Sequence, residues 1–224
     1  MKTVIFDLDG TLADTSGDLI AAANASFRGL GLGDLLDDQA DMLTAFHGGR
    51  AMLRLGFSRS GATFGDAEVD RAYPDFLTHY EENIDVKTRL YPGCIEAVEG
   101  LLAEGVKIGV CTNKPEYLAE ELLRRLGVRD HFGSLIGADT LPVRKPDPRP
   151  FAEAVARVAG DQARSVLIGD TETDLKTARA AGVPVVLVSF GPEGEGVQRL
   201  KPDALLPDYA SLGRVVDDLI GQTP

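Results

Sequence analysis

Thr3-Val4-Ile5-Phe6-Asp7-Leu8-Asp9-Gly10-Thr11-Leu12 is the stretch from which the rest of the chain is best read. A short, largely apolar run meets Asp-Leu-Asp-Gly, a set of turn-forming residues, so it reads as a buried strand ending in a polar turn. Later runs share that character: Lys107 to Thr112, Ser134 to Gly137, Ser165 to Asp170 and Pro184 to Ser189. None alternates apolar with polar, and continuous apolar strands suit a parallel sheet covered on both faces. Between them lie helical stripes. Ile95, Val98, Leu101 and Leu102 form one, with Pro92 near its first turn; Leu118, Leu122 and Leu126 form a second, stopped by Gly127. Leu175, Ala178 and Ala181 form a third, stopped by Gly182. Strand–helix alternation of this kind predicts a doubly wound, Rossmann-like α/β fold.

Residues 14–86 break the rhythm. They read as helical throughout, over Asp18 to Leu30, Asp38 to Leu55 and Ala67 to Ile84, with Gly-rich breaks between. The expected organisation is an α/β core domain of residues 1–13 and 87–224, with a helical cap domain of residues 14–86 inserted after the first strand. The hinges are expected at Asp14-Thr15 and at Val86 to Tyr91.

Composition narrows the function. The 224 residues are 44% hydrophobic and 26% charged, and 23 basic against 35 acidic residues give a net charge of −12. Such a chain repels nucleic acid and anionic lipid, so neither is an expected partner. The longest apolar run, Val183 to Val188, is too short to span a bilayer, and Asp7 and Asp9 interrupt any signal-peptide core near Met1. Cys94 and Cys111 make neither a disulfide framework nor a zinc-ligand spacing, which fits a cytoplasmic location.

Ligands of open α/β sheets bind outside the carboxyl ends of the strands. Those ends carry Asp7 to Thr11, then Thr112-Asn113-Lys114, then Gly169-Asp170-Thr171-Glu172-Thr173-Asp174. Arg144-Lys145-Pro146-Asp147-Pro148 precedes a helix expected to begin near Pro150. Carboxylates at Asp7, Asp9 and Asp170, with no soft ligand in the pattern, suit a hard cation such as Mg²⁺. A plain turn would explain Asp-x-Asp-Gly in isolation, and an EF-hand loop fails because a strand precedes it and no Glu closes it. Thr112 could cap the following helix or hold a phosphate oxygen. Lys145 could be a solvated charge. Asp174 could close a capping box with Thr171, support a metal, or do both.

Val4 to Leu12, Thr112-Asn113, Lys145-Pro146 and Gly169-Asp170 with Asp174 resemble, in order, the four motifs of the haloacid dehalogenase superfamily of phosphatases. Within it, Tyr80-Glu-Glu-Asn-Ile84, Tyr91-Pro92-Gly93 and Thr112-Asn-Lys-Pro115 look most like the phosphoglycolate phosphatases. Ser189-Phe190-Gly191 stands where that group carries Gly-Tyr. The resemblance implies that Asp7 attacks phosphorus and becomes an aspartyl-phosphate, while Asp9 serves as acid and then base. It implies Mg²⁺ held by Asp7, the Asp9 carbonyl and Asp170, with Asp174 in support. Thr11, Thr112, Asn113 and Lys145 would hold the phosphoryl group. Substrate choice is expected in the cap, at His47, Gly48, Gly49 and Arg50, where Arg can grip a carboxylate.

The expected activity is therefore Mg²⁺-dependent hydrolysis of a small phosphorylated metabolite, with 2-phosphoglycolate the first candidate, by a monomer or homodimer. A sugar-phosphate mutase resembling β-phosphoglucomutase would use the same motifs, as would a phosphatase of another small phosphoester. A dehalogenase has no use for Asp9, and a non-catalytic binding module no need of Asp7, Asp9, Lys145 and Asp170 together.

Overall fold

The computed structural model describes residues 1–61 and 64–221. Two positions of the expected cap range and the last three of the expected core range therefore lie outside the described residues. The chain divides into two compact units, residues 1–13 with 90–224, and residues 14–89.

The first unit is built on a six-stranded parallel sheet in the order β5-β4-β1-β6-β7-β8. Its strands are β1 (Thr3–Phe6), β4 (Lys107–Cys111), β5 (Ser134–Ile136), β6 (Ser165–Gly169), β7 (Val185–Val188) and β8 (Ala204–Leu206). The helices of this unit are α5 (Cys94–Ala103), α6 (Glu116–Arg125), α7 (Arg149–Arg157), α8 (Glu172–Ala181) and α9 (Leu212–Ile220). Every residue of β1 is fully buried, as an unalternating apolar strand between two parallel neighbours must be. Ile5 joins Phe151, Val155, Leu167 and Ala178 in the core beneath α7 and α8, while α5 and α9 pack on each other and on β4 and β6. The fold class read from the sequence is the fold observed. Each of the five sequence-read strands is present within a residue or two, and β8 and α9 are additions to that reading.

In register, Phe6 lies beside Val110 on one side and Ile168 on the other. The residues that follow, Asp7, Thr112 and Asp170, therefore emerge together at the carboxyl edge. Chain order turns here, since β4 and β5 extend the sheet one way from β1, and β6, β7 and β8 the other. Such a switch point leaves a crevice for a ligand.

The second unit holds α1 (Ser16–Gly29), α2 (Met42–Ala45), α3 (Gly49–Arg59) and α4 (Asp66–Glu82). The chain crosses between units at β2 (Ala13–Asp14) and β3 (Arg89–Leu90), which pair as a two-stranded ribbon. The helical stretch expected over Asp38 to Leu55 begins with a turn and is divided into α2 and α3 at the Gly48-Gly49 break. Asp37 accepts the N–H groups of Gln39 and Ala40, and Gly48 takes a left-handed φ of 90°, which ends one helix and starts the next. Two glycines let the helices close up. A Cβ on Gly56 would lie 2.1 Å from the Phe27 ring, and one on Gly49 2.3 Å from Phe76. The unit extends to Arg89 because the Asp18 carboxylate accepts the N–H groups of Lys87 and Thr88, both at 2.8 Å. Among the described residues no helix is long and apolar enough to cross a membrane.

Candidate active site

Strand pairing places the first carboxylate. The Asp7 N–H donates to the Ile168 carbonyl at 2.8 Å, carrying the β1–β6 ladder one residue past β1. Its side chain then sits in the crevice, with Oδ1 accepting the Leu8 N–H at 2.7 Å and Oδ2 2.9 Å from Lys145 Nζ. Lys145 also donates to Asp174 Oδ1 at 2.6 Å, and its side chain is 1% exposed. Asp170 accepts the Thr11 hydroxyl at 3.1 Å. Carboxylate oxygens of Asp7, Asp170 and Asp174 all lie within 4.8 Å of one another.

Burial and crowding set the charge state. Burial is the main cause that pushes the Asp7 carboxyl up to about 6, with Asp174 and Asp9 adding to it against the pull of Lys145. Asp170 is raised well above the ordinary carboxylate range for the same reason, with Asp174 and Asp7 contributing. Burial opposes the Lys145 charge, but Asp174 and Asp7 together hold its pKa above the ordinary lysine value. Cys111 beside them is pushed up to about 12 by burial, so it is a thiol and offers no soft thiolate ligand. Crowded oxygens short of positive charge, with only a protonated sulfur nearby, fit a small divalent cation.

The loops around these groups are held by short local bonds and by one bond between loops. Asp174 accepts the Thr171 hydroxyl at 2.7 Å and the Thr171 N–H at 3.1 Å, so the Thr-x-x-Asp pattern does start α8 as a capping box. With Oδ1 on Lys145 and Oδ2 on Thr171, both Asp174 oxygens accept bonds. Gly169 allows this approach, because a Cβ there would sit 2.3 Å from the Asp174 carboxyl carbon. Asn113 turns its side-chain amide to the Lys145 carbonyl at 3.0 Å, which ties the two loops together. Thr112 Oγ1 accepts the Lys114 N–H at 3.2 Å, so its own proton is directed elsewhere.

Two features of this unit had no assigned role in the sequence reading. Lys114 Nζ donates to Asp9 Oδ1 at 2.8 Å, and the lysine side chain is 3% exposed. A lysine in a polar turn reads as solvated until its burial is known. Tyr209 donates its hydroxyl to the Thr11 carbonyl at 2.7 Å. Its ring lies 5.2 Å from Phe190, which in turn lies 5.0 Å from Tyr91. Gly191 beside this aromatic row is fixed by space, since a Cβ would lie 2.8 Å from the Gly10 carbonyl. The Ser189-Phe190-Gly191 segment thus supports the Asp7–Thr11 turn from behind.

The structure brings Asp7, Asp170, Asp174, Lys145 and Thr11 into one bonded cluster, with Asp9 next to Lys114 and with Thr112 and Asn113 on the same edge. His47, Gly48, Gly49 and Arg50 belong to the helical unit. His47 is exposed, Gly48 starts α3 and Gly49 faces Phe76. Arg50 is ion-paired with Asp70 and lies 4.4 Å over the Tyr73 ring, so it joins α3 to α4.

The profile of haloacid dehalogenase-like hydrolases matches residues 4–188. A phosphoglycolate phosphatase of Mesorhizobium japonicum is 39% identical over 209 residues, covering 93% of this chain and 92% of that protein. One of Agrobacterium fabrum is 37% identical over 208 residues, covering 93% and 89%. Among solved structures, a "predicted phosphoglycolate phosphatase" from Haemophilus somnus matches with a TM-score of 0.85 and 26% identity, over 96% of this chain and 97% of that one.

Proposed function

The chain belongs to the haloacid dehalogenase-like hydrolases and is a phosphatase of a small phosphoester, and on that premise we propose that it hydrolyses 2-phosphoglycolate with Mg²⁺ through an aspartyl-phosphate on Asp7. The observation that carries the proposal is the Asp7–Lys145–Asp174 chain of bonds with Asp170 beside it, at the carboxyl ends of adjacent strands. Asp7 attacks phosphorus in line as the leaving oxygen departs. Asp9 gives that oxygen its proton and later takes one from the water that releases phosphate. The Thr112 hydroxyl and the backbone N–H groups of Asn113 and the Asp7–Thr11 turn hold phosphoryl oxygens. Lys145 keeps the Asp7 carboxylate and the phosphoryl anion from repelling one another.

The Asp7 and Asp170 carboxylates and the Asp9 carbonyl would hold the metal, with Asp174 behind them fixing Lys145 and the start of α8. When bound, Mg²⁺ supplies charge neutralisation to the phosphoryl group. In the helical unit His47 is a proposed substrate contact, while Arg50 has the structural part its partners give it.

Phosphate release from a panel of phosphomonoesters tests the reading. We expect 2-phosphoglycolate among the best substrates, activity lost in EDTA and restored by Mg²⁺, and weak support from Ca²⁺, whose looser coordination misplaces the phosphate. Full turnover by metal-free protein would overturn the metal assignment. A requirement for a sugar bisphosphate, with no net phosphate release, would point to the mutase.

Arg50→Ala is expected to lower stability by roughly 1 kcal/mol, the sum of an exposed ion pair and a cation–π contact. It should change kcat/KM about equally for phosphoesters with and without a carboxylate. A loss confined to carboxylate-bearing substrates would place Arg50 in the substrate site.

A further inference from the structure

We infer that Lys114 binds the carboxylate of the leaving group, which makes the substrates phosphomonoesters with a carboxylate on the carbon next to the ester oxygen. The inference rests on the proposed role of Asp9 as the acid at that oxygen. The two buried lysines of the site are divided between its two ends. Lys145 contacts Asp7 and Asp174, on the side of the nucleophile. Lys114 contacts Asp9, on the side from which the alcohol leaves, with Nζ 2.8 Å from Oδ1.

The lysine is fixed along its backbone as well. Its N–H donates to Thr112 Oγ1 at 3.2 Å, and its carbonyl accepts the Ala138 N–H at 2.9 Å. An uncharged amide or hydroxyl would orient Asp9 as well as Lys114 does, without burying a cation. Burying an ammonium is costly, and a carboxylate that arrives with the substrate adds to what offsets that cost. The Asp9 side chain is 19% exposed against 3% for Lys114, so the carboxylate is the more accessible partner of the pair. An ammonium has three donors and can hold a carboxylate oxygen while keeping Asp9. When Asp9 touches the ester oxygen, a carboxylate on the adjacent carbon lies within reach of Nζ. A carboxylate farther along the alcohol does not share that geometry.

The test compares 2-phosphoglycolate with 2-hydroxyethyl phosphate, a neutral counterpart of the same length. Because Lys114 also touches Asp9, Lys114→Met should slow both. The ratio of their kcat/KM values should nevertheless fall roughly ten- to hundredfold, mainly through KM for 2-phosphoglycolate. Inhibition by glycolate should weaken by a similar factor while inhibition by inorganic phosphate persists. Lys114→Arg should keep much of the preference, and melting curves of both variants check the fold. An unchanged ratio in Lys114→Met, or in Lys114→Gln if the first does not fold, would overturn the inference and leave Lys114 as a positioning residue for Asp9. Wild-type enzyme that cleaves both esters without preferring the carboxylate would instead overturn the proposed substrate.

Discussion

Asp7→Asn is expected to abolish phosphate release from every substrate while the fold persists. An amide nitrogen or oxygen at that position cannot form the phosphorus–oxygen bond that starts the proposed reaction. The loss should be at least roughly 10⁴-fold, the scale seen when a covalent nucleophile is removed. Stability should move the other way. The folded-state pKa of Asp7 is raised to about 6, chiefly by burial, so the ionised form is disfavoured in the fold. A raised carboxyl pKa means that the folded state binds its proton more tightly than the unfolded chain does. Its cost to stability is therefore absent below the unfolded value and complete above about pH 6. Asn imitates the neutral form, so at pH 8 without metal the variant should melt no lower than wild type. Near-normal phosphate release from Asp7→Asn would rule out the covalent mechanism.

The carboxylates of the site could be read from the sequence because each follows an apolar run too continuous to be anything but a buried strand. Asp7 and Asp170 end β1 and β6, and parallel pairing at Phe6 and Ile168 brings them together once the strands are adjacent. Asp174 is legible by a different signal, its spacing from Thr171 at the start of a helix. What escaped the reading depends on partners distant in sequence. Lys114 stands in the strand-end cluster Thr112-Asn113-Lys114, but nothing local points to its contact with Asp9, 105 residues earlier. Tyr209 reaches Thr11 across 198 positions, and no local pattern announces it. Arg50 also has partners that its neighbours in sequence do not announce. A Gly-Gly-Arg break suggests an arm free for a substrate, but helix packing places Asp70 and Tyr73 against it. Of the two core elements missed, α9 carries Leu212, Val215, Val216 and Ile220 at helical spacing and was open to detection. β8 is three residues long and gives no periodic signal.

Lys145→Met is expected to cost both activity and stability, and the two losses can be separated. The ammonium is 1% exposed and lies 2.9 Å from Asp7 and 2.6 Å from Asp174. Removing it leaves buried carboxylates facing one another, and breaking a buried ion pair from one side costs about 3–5 kcal/mol. For a chain of this size that corresponds to a fall in Tm of roughly 6–20 °C. A second substitution, Asp174→Asn, removes one of the stranded charges but keeps an oxygen for the Thr171 hydroxyl and N–H that start α8. The double variant should therefore melt above Lys145→Met. Catalysis should not recover with the melting temperature, because nothing then offsets the repulsion between the Asp7 carboxylate and an arriving phosphoryl dianion. Recovery of both together would mean that Lys145 serves only to hold the fold. A Lys145→Met protein that melts with wild type would show that the crowded carboxylates find relief by taking up a proton, as their raised pKa values allow.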